Sequence, residues 1–465
     1  MSDATGSAAT LPEHPRPSPL PPRPYHFPRF ERHALANGLS LVVAPVRKLP
    51  LVTVRMVADA GAVSEPAGRD GVAHLTVRAL LEGTRRLSAV ELVERFERLG
   101  ASVDTDASWD AAALGMTVLA DRLGDAFALF GETLRDPAFP EREVHRLREE
   151  RLAELLHQRA EPRGLADEMF DRFLYHPSSR YALPEDGSES GVSSIDRAAV
   201  EAFWRERWRP GGMTLVVAGD IAPDDALALA ERTFGDWAPG APPPAHAIDE
   251  PAHAGRAVHL VEKADAPQSE LRIGHVGIPR AHPDYFPVLV MNAVLGGLFN
   301  SRININLREV HGYTYGASSY FDWRRGAGPF VVSSAVQSDV TDAAAREVLA
   351  EIERIRGAEI STDELSLATS WLDGVFPIRY ETTQAIAQAL AMLVTYDLPA
   401  DYFDRYRENV RAVQLADVQR AAETHLRPEA VQVVVVGDPA VVREPLARLN
   451  AGAVTVYDAE GHPTE

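Results

Sequence analysis

Alternating apolar and polar residues predict β-strands in the first half of the chain. Residues 39–44 (LSLVVA) follow an Asn-Gly turn and are expected to begin the first folded domain. Residues 105–119 predict a hairpin, because two stretches of alternating character flank Trp109 and Asp110. The first domain is therefore expected to contain an antiparallel sheet.

A helical spacing of apolar residues follows between residues 141 and 159. The predicted helix is rich in charge, and its apolar side consists of Val144, Leu147, Leu155 and Leu156. Strands and amphipathic helices are mixed in both halves of the chain, which is typical of α+β domains. We therefore expect an α+β fold with mostly antiparallel sheets and helices packed on them.

The two halves of the chain resemble each other. Residues 213–220 (MTLVVAGD) and 431–438 (VQVVVVGD) both read as apolar strands that end in Gly-Asp. Each follows an Arg-Pro pair, and the proline, Pro210 or Pro428, precedes the glycine by nine residues in both places. Self-similarity at about half the chain length predicts a duplicated domain.

Proline-rich segments indicate the domain boundaries. Residues 11–28 hold eight prolines, so residues 1–30 are expected to form a flexible, extended tail or a strap lying on a partner. A second proline-rich patch indicates an interdomain linker over residues 238–256. The remaining expected boundaries are 31–237 for the first domain, 257–450 for the second and 451–465 for a C-terminal tail.

Composition and charge narrow the classes of function. The 465 residues carry a net charge of -20, which opposes general electrostatic binding to nucleic acid or to an anionic membrane. The chain has no cysteine, which excludes disulfides and thiolate metal sites. No apolar run approaches the roughly 18 residues of a membrane span, so none is expected. Residues 1–10 lack a signal-peptide pattern, so a cytoplasmic location is expected, or a periplasmic one if a signal was removed.

Residues 71–84 (GVAHLTVRALLEGT) carry a specific but altered motif. They resemble the zinc-binding sequence G-L-A-H-x-x-E-H-M-x-F-x-G-T of the M16 (pitrilysin/insulinase-type) peptidases. In this alignment His74 matches the first zinc ligand, Val77 occupies the catalytic Glu position, and Arg78 replaces the second His. Residues i and i+4 of a helix share one face, so two His side chains can bind one zinc while the Glu accepts a proton from its water. Val77 cannot accept a proton, and the cation of Arg78 repels a divalent metal.

The resemblance also implies a third ligand position, which falls on Glu154, with Pro162 eight residues later as in the family. His74 and Glu154 alone are a poor zinc site, so no functional zinc is expected in this chain. We expect either a hydrogen bond between His74 and Glu154 or an ion pair between Arg78 and Glu154. His157 could be proposed as a substitute ligand, but no general base accompanies it.

A second family signature lies in residues 295–316 (LGGLFNSRININLREVHGYTYG). It resembles the M16 pattern S-R-L-x-x-x-L-R-E-x-x-G-x-x-Y, in which the Arg and the Tyr bond the substrate backbone near the zinc. Arg308 and Tyr315 match this pair in spacing and context. A guanidinium offers fixed donors to a peptide carbonyl, and a phenol can donate to a developing oxyanion. The alternative is that Arg308 pairs with Glu309 on the surface and Tyr315 is a core aromatic residue.

Residues 99–108 (LGASVDTDAS) resemble the family's G-G-x-x-N-A-x-T-S edge strand, which takes substrate as an added strand. Here Asp104 replaces the Asn and Thr105 the Ala. A plain structural hairpin explains these residues at least as well as substrate binding does.

The resemblance spans residues 30–450 and implies two homologous M16-type domains that form half of a clam-shell chamber. It implies a non-catalytic, substrate-binding subunit of a heterodimeric zinc peptidase that degrades or processes peptides. The chain itself would bind no cofactor, and a catalytic partner carrying H-x-x-E-H would supply zinc and the general base. Two alternatives remain open: a structural or assembly subunit, and a stand-alone peptide-binding protein without peptidase activity.

Overall fold

The computed structural model describes residues 24–240, 255–357 and 360–464. Within these residues the chain forms two sheets of six strands each, one from each half. The strands of the first sheet are β1 Glu31–Ala34, β2 Ser40–Pro45, β3 Leu51–Ala58, β4 Ser102–Ala107, β5 Ala112–Leu119 and β6 Met213–Gly219. Those of the second are β7 Ala257–Glu262, β8 Gln268–Val276, β9 Ala317–Phe321, β10 Pro329–Gln337, β11 Gln432–Gly437 and β12 Val454–Tyr457.

Helices connect and cover the strands in both halves. The first half contains α1 Val72–Ala79, α2 Ala89–Arg98, α3 Leu123–Arg135, α4 Glu141–Ala160, α5 Pro162–Leu174, α6 Glu189–Ser193, α7 Arg197–Arg207 and α8 Pro223–Phe234. The second half contains α9 Tyr285–Asn292, α10 Arg302–Asn304, α11 Thr341–Gly357, α12 Thr362–Arg379, α13 Thr383–Thr395, α14 Tyr402–Ala412, α15 Leu415–His425 and α16 Pro439–Arg448. Two π-helical segments, Ala293–Gly297 and Ile305–Val310, flank α10.

The two sheets have the same topology apart from their outermost strand on one side. Their orders are β1-β2-β6-β3-β5-β4 and β12-β7-β11-β8-β10-β9. The apolar strands β6 and β11 occupy equivalent positions, each parallel to one neighbour and antiparallel to the other. Most strand pairs are antiparallel. The predicted α+β fold of two homologous domains is confirmed, and so are the hairpin of β4 and β5 and the charged helix α4.

Each half contributes one helix to the sheet of the other half. Helix α5 packs on β8 and β11, where Phe170 lies in a cluster with Val331 and Val434. Helix α13 packs on β3 and β6, and the hydroxyls of Thr53 and Thr383 lie 2.9 Å apart at this contact. The remaining helices of the first half cover the opposite face of the first sheet. This exchange of helices joins the two halves through apolar clusters that contain residues of both.

The tips of two equivalent hairpins meet between the domains. Arg324, in the turn between β9 and β10, is 2% exposed and lies against the rings of Trp109 and Tyr181. Its Cζ is 4.1 Å from the centroid of the Trp109 ring, which belongs to the turn between β4 and β5. Asp171 and Asp322 neutralise the guanidinium at 3.4 and 2.6 Å. A buried cation with two carboxylates and aromatic faces around it thus joins the domains.

Two expected tails differ from the structure. Residues 454–457 form strand β12, which pairs with β7, and the Tyr457 ring contacts that of Phe173 at 4.4 Å between centroids, so residues 451–465 are not a simple tail. At the other end Phe27 is buried and stacks on Phe403 at 4.2 Å between ring centroids, so residues 24–30 are packed on the second domain. Aromatic side chains in both segments supply the apolar surface that holds them. Residues 1–23 and most of the expected linker lie outside the described residues.

One segment of the described chain, Tyr285–Val310, is long and apolar enough to cross a membrane by length and composition alone. It is not one regular helix. A non-helical stretch around Leu298 separates α9 and the first π-helical segment from α10 and the second. Most of its apolar residues lie in the core of the second domain. Residues 285–310 are therefore buried as a segment of the protein core is.

Candidate functional site

Helix α1 carries the altered motif, and two local features fix its first turn. Gly71 has a left-handed backbone with φ of +98°, and a Cβ there would lie 2.9 Å from the carbonyl oxygen of Asp186. The buried carboxylate of Glu65 accepts hydrogen bonds from the backbone N–H groups of Gly71 and Ala73 at 3.0 and 2.8 Å. These bonds satisfy donors that the start of a helix leaves free. The helix therefore begins close to Asp186, one turn before His74.

His74 pairs with Asp186 rather than with Glu154. Its Nδ1 lies 3.3 Å from Oδ1 of Asp186, and its Nε2 is buried without a hydrogen-bond partner among the described residues. Val77 is 1% exposed and packs in the core of the first domain. The general-base position of the motif is thus occupied by a buried aliphatic side chain, which cannot exchange a proton.

Arg78 forms ion pairs with two carboxylates on α4. Its Nη2 lies 3.2 Å from Oε2 of Glu150, and its Nη1 lies 3.5 Å from Oε1 of Glu154. Arg151 approaches the other oxygen of Glu154 at 3.2 Å, so this carboxylate lies between two guanidinium groups. Of the two expected replacements, the structure contains the ion pair between Arg78 and Glu154. His157 is exposed on the same helix.

The donors around α1 do not fit a catalytic zinc centre. Two of the motif's three ligand positions are kept, His74 and Glu154, whereas three protein ligands and an open position are typical. The second ligand position holds the cation of Arg78, 3.5 Å from the Glu154 carboxylate. Bringing Zn²⁺ to Glu154 would place it beside two arginines, with a Coulomb cost in this partly buried setting. No step of a reaction is therefore assigned to zinc held by this chain.

Two adjacent carboxyls next to His74 have opposite pKa shifts. Burial alone would raise the pKa of Asp186, but the hydrogen bond with His74 and the charges of Arg151 and Arg180 lower it below the usual range. Burial, with the charge of Asp186 beside it, raises the pKa of Glu185 to about 8. Near neutral pH the pair is therefore expected to hold one proton, on Glu185.

Arg308 and Tyr315 lie in the second domain, away from α1. The π-helical segment Ile305–Val310 carries Arg308, whose Cζ lies 4.6 Å from the centroid of the Phe299 ring. Its Nη1 is buried without a hydrogen-bond partner in the described chain, and its Nε is 3.6 Å from Oε1 of Glu309. The long contact with Glu309 is a surface ion pair of small energetic value. Stacking on Phe299 holds the guanidinium while leaving donors unused.

Tyr315 projects into solvent from an anchored loop. Gly312 turns the chain after the π-helical segment with φ of +67°, and the hydroxyl of Thr314 donates to the carbonyl oxygen of Ala335 on β10 at 2.7 Å. The side chain of Asn304 accepts a hydrogen bond from the backbone of Ala317 at 3.0 Å. Between these two anchors Tyr315 is 95% exposed. The alternative that Tyr315 is a core aromatic residue is therefore wrong.

Strand β4 is an edge strand of the first sheet, as the resemblance implies. Asp104 and Asp106 project from one face and bind Arg55 at 2.9 and 3.0 Å. Asp104, one of the two residues that depart from the family pattern, therefore has a structural partner in Arg55. Main-chain groups on the outer side of β4 have no strand partner among the described residues, which leaves the edge open.

Two family models match the chain over long regions. Residues 42–178 match the model described as Insulinase (Peptidase family M16), and residues 194–370 match the model described as Peptidase M16 inactive domain. Together the matched regions cover more than half of the chain. The chain belongs to peptidase family M16.

Relatives of this M16 protein agree with that assignment. It is 21% identical over 411 residues to an uncharacterized zinc protease of Rickettsia bellii, covering 87% of this chain and 97% of the relative. It is 26% identical over 279 residues to the probable mitochondrial-processing peptidase subunit beta of Schizosaccharomyces pombe, covering 58% and 59%. A crystal structure of a peptidase M16 inactive domain from Pseudomonas fluorescens is 25% identical, with a TM-score of 0.83 over 88% of this chain and 98% of that chain.

The sequence did not indicate several residues that shape these M16 sites. Asp186 contacts His74 from a loop more than one hundred residues away, where no motif marks it. Glu150 precedes Glu154 by one helical turn, and this spacing could have suggested a second partner for Arg78. Phe299 contacts Arg308 across α10 and the start of the second π-helical segment. Helical periodicity cannot predict this contact, because the chain between the two residues is not one regular helix.

Proposed function

We propose that this M16 protein is the non-catalytic, substrate-binding subunit of a heterodimeric zinc peptidase. A partner of the same family carrying intact H-x-x-E-H supplies the zinc and the general base. This chain supplies Arg308 and Tyr315, which bind the backbone of a peptide enclosed between the two subunits. The observation that carries the proposal is the contrast between these two places in one chain.

At the first place, the residues aligned with the zinc motif are engaged with one another. Arg78 binds Glu150 and Glu154, and His74 binds Asp186. Val77 belongs to the core. A side chain that is already paired and partly buried has to break those contacts before it can bind a ligand, which costs free energy. This arrangement supports a structural role for the altered motif.

At the second place, the polar groups of Arg308 and Tyr315 have few contacts within the described chain. Arg308 is held by Phe299 with a buried Nη1 that has no partner in the described chain, and Tyr315 is 95% exposed on an anchored loop. The exposed phenol of Tyr315 and the guanidinium of Arg308 contribute little to the stability of the free chain. Both suit a ligand that arrives from outside, with the guanidinium donating to a peptide carbonyl and the phenol to developing negative charge.

Purified components test the assembly part of this proposal. The chain and an H-x-x-E-H-containing M16 protein from the same cells are prepared separately, and each is analysed for bound zinc and for hydrolysis of a fluorogenic peptide. The mixture is then sized by analytical ultracentrifugation and assayed again. We expect zinc in the partner, a stoichiometric complex, and hydrolysis that requires both chains. Absence of a complex, or equal hydrolysis by the partner alone, would favour the structural or the peptide-binding alternative.

A further inference from the structure

A cavity of about 620 Å³ lies between the two domains, on the face of the first sheet that α13 covers. Arg55 and Asp106 border it from the first sheet, and Arg280 and Arg379 border it from the second domain. Its larger apolar and aromatic lining residues include Val57, Tyr285, Phe321, Trp323, Met392 and Tyr396. The size and mixed lining are typical of a small-molecule or peptide-end site.

Arg280 is a buried cation that no carboxylate of the described residues pairs with. It is 3% exposed, and its guanidinium lies over the Tyr285 ring with 3.6 Å between Cζ and the ring centroid. Its Nη2 donates to the hydroxyl of Tyr402 at 2.5 Å, and no ion pair to Arg280 exists among the described residues. Burying a charge with one neutral hydrogen-bond partner is costly, and an anion beside it would remove much of that cost.

The other charges around the cavity do not neutralise Arg280. Asp106 is bound by Arg55 at 3.0 Å, and Asp322 is bound by Arg324 at 2.6 Å. The Cζ of Arg379 lies 5.7 Å from the centroid of the Trp371 ring, and Arg379 has no ion pair within the part of the chain that the structure describes. Two unpaired guanidinium groups therefore border this cavity, in a chain whose net charge is -20.

We propose that this cavity binds a carboxylate that carries an aromatic or large apolar group. The carboxylate would accept the free guanidinium hydrogens of Arg280, with Arg379 at the rim, and the apolar body would lie between Tyr285, Trp323 and Tyr396. The C-terminal end of a peptide has this chemistry, and so does a free aromatic acid. The site belongs to this chain alone and does not depend on a catalytic partner, so its test is separate from that of the proposed function.

Binding to the purified chain distinguishes charge recognition from general apolar binding. The probe is a fluorescein-labelled apolar hexapeptide ending in Phe, prepared with a free C-terminal carboxylate and as the C-terminal amide, and read by fluorescence anisotropy. A charge-assisted contact to a buried guanidinium is expected to make the acid bind roughly tenfold more tightly than the amide. Competition with 3-phenylpropanoate identifies the source of the carboxylate. Displacement at similar concentration indicates a free aromatic acid, and weak displacement indicates a peptide end.

Variants locate the site. Arg280→Met keeps the length of the apolar stem and is expected to abolish the preference for the acid over the amide. Arg379→Gln, at an exposed position, is expected to reduce acid binding severalfold without changing the melting temperature. Arg346→Gln, an exposed arginine on α11, is the matched control and is expected to bind like the wild type. Equal affinity of the wild type for acid and amide overturns the proposal even if Arg280→Met does not fold. A folded Arg280→Met that keeps the preference, or an Arg379→Gln with unchanged affinity, overturns it as well.

Discussion

Arg78 and Glu154 form an ion pair, with 3.5 Å between Nη1 and Oε1, at two positions that align with zinc ligands of the M16 motif. The cation takes the place of the metal as the partner of the carboxylate. Glu150 and Arg151 extend the pair into a network along α4. The network explains how the first domain keeps its fold around an altered motif, since every charge in it has an opposite charge nearby.

Restoring the motif is expected to create a zinc site. The double substitution Val77→Glu with Arg78→His places two His side chains one turn apart, and His74 Nε2 already lies buried with no partner in the described part of the chain. We expect the double variant to bind zinc near one equivalent, measured by plasma mass spectrometry after dialysis. Val77→Glu alone is the control and is expected to bind none, because Arg78 remains. A double variant without zinc would show that His74 and Glu154 are not positioned as ligands.

Arg324 is expected to be a main link between the domains. Its replacement by Leu removes the partner of the Asp171 carboxylate and the contact with the Trp109 ring. Leaving a buried charge without its partner typically costs roughly 3–5 kcal/mol of folding free energy, measured here by urea denaturation. Arg325→Leu, at the neighbouring and more exposed position, removes an ion pair with Asp59 that solvent screens and is expected to cost much less. Similar losses for both variants would contradict a specific role for Arg324.

Glu185 is expected to make stability depend on pH. Burial raises its pKa in the folded chain to about 8, above the ordinary value of 4.5. Between these values the folded chain binds a proton that the unfolded chain does not, so stability falls as pH rises from about 5 to about 8. Glu185→Gln keeps the neutral form, so it should match the wild type at pH 5 and exceed it in unfolding free energy at pH 9. Glu444→Gln, on the surface of α16, should follow the wild type throughout.

The substitution Arg308→Lys is expected to distinguish the contribution of the positive charge to substrate binding from that of the guanidinium geometry. The lysine keeps a positive charge but loses the planar group that stacks on Phe299 and presents several donors in a fixed orientation. In the proposed heterodimer we expect kcat/KM to fall toward the value of Arg308→Ala, with an unchanged melting temperature. Activity equal to the wild type would mean that only the charge matters.

The sequence was sufficient for the fold class and for the position of both motifs. The apolar strands before Gly219 and Gly437 revealed the duplication because a buried central strand has a distinctive pattern. The register of the altered motif placed His74, Val77 and Arg78 on one helix. These are local properties, which depend on residues close together in the chain.

Contacts between distant segments could not be predicted in the same way. The contact of Asp186 with His74 and the insertion of Arg324 beside Trp109 depend on how loops meet after folding. The exchange of α5 and α13 between the two sheets leaves no mark in periodicity, because each helix is amphipathic wherever it packs. The cavity at Arg280 follows from that exchange, which is why the sequence did not suggest it.

The most direct test of the proposed function is kcat/KM for peptide hydrolysis by the proposed heterodimer carrying Arg308→Ala. A guanidinium that bonds the substrate backbone near the partner's zinc is expected to contribute roughly a hundredfold. We predict a loss of that order, with complex formation and zinc content unchanged and with Arg448→Ala, which changes an exposed arginine on α16, fully active. Wild-type kcat/KM in the Arg308→Ala complex would contradict the proposed function and leave Arg308 without a role in binding substrate.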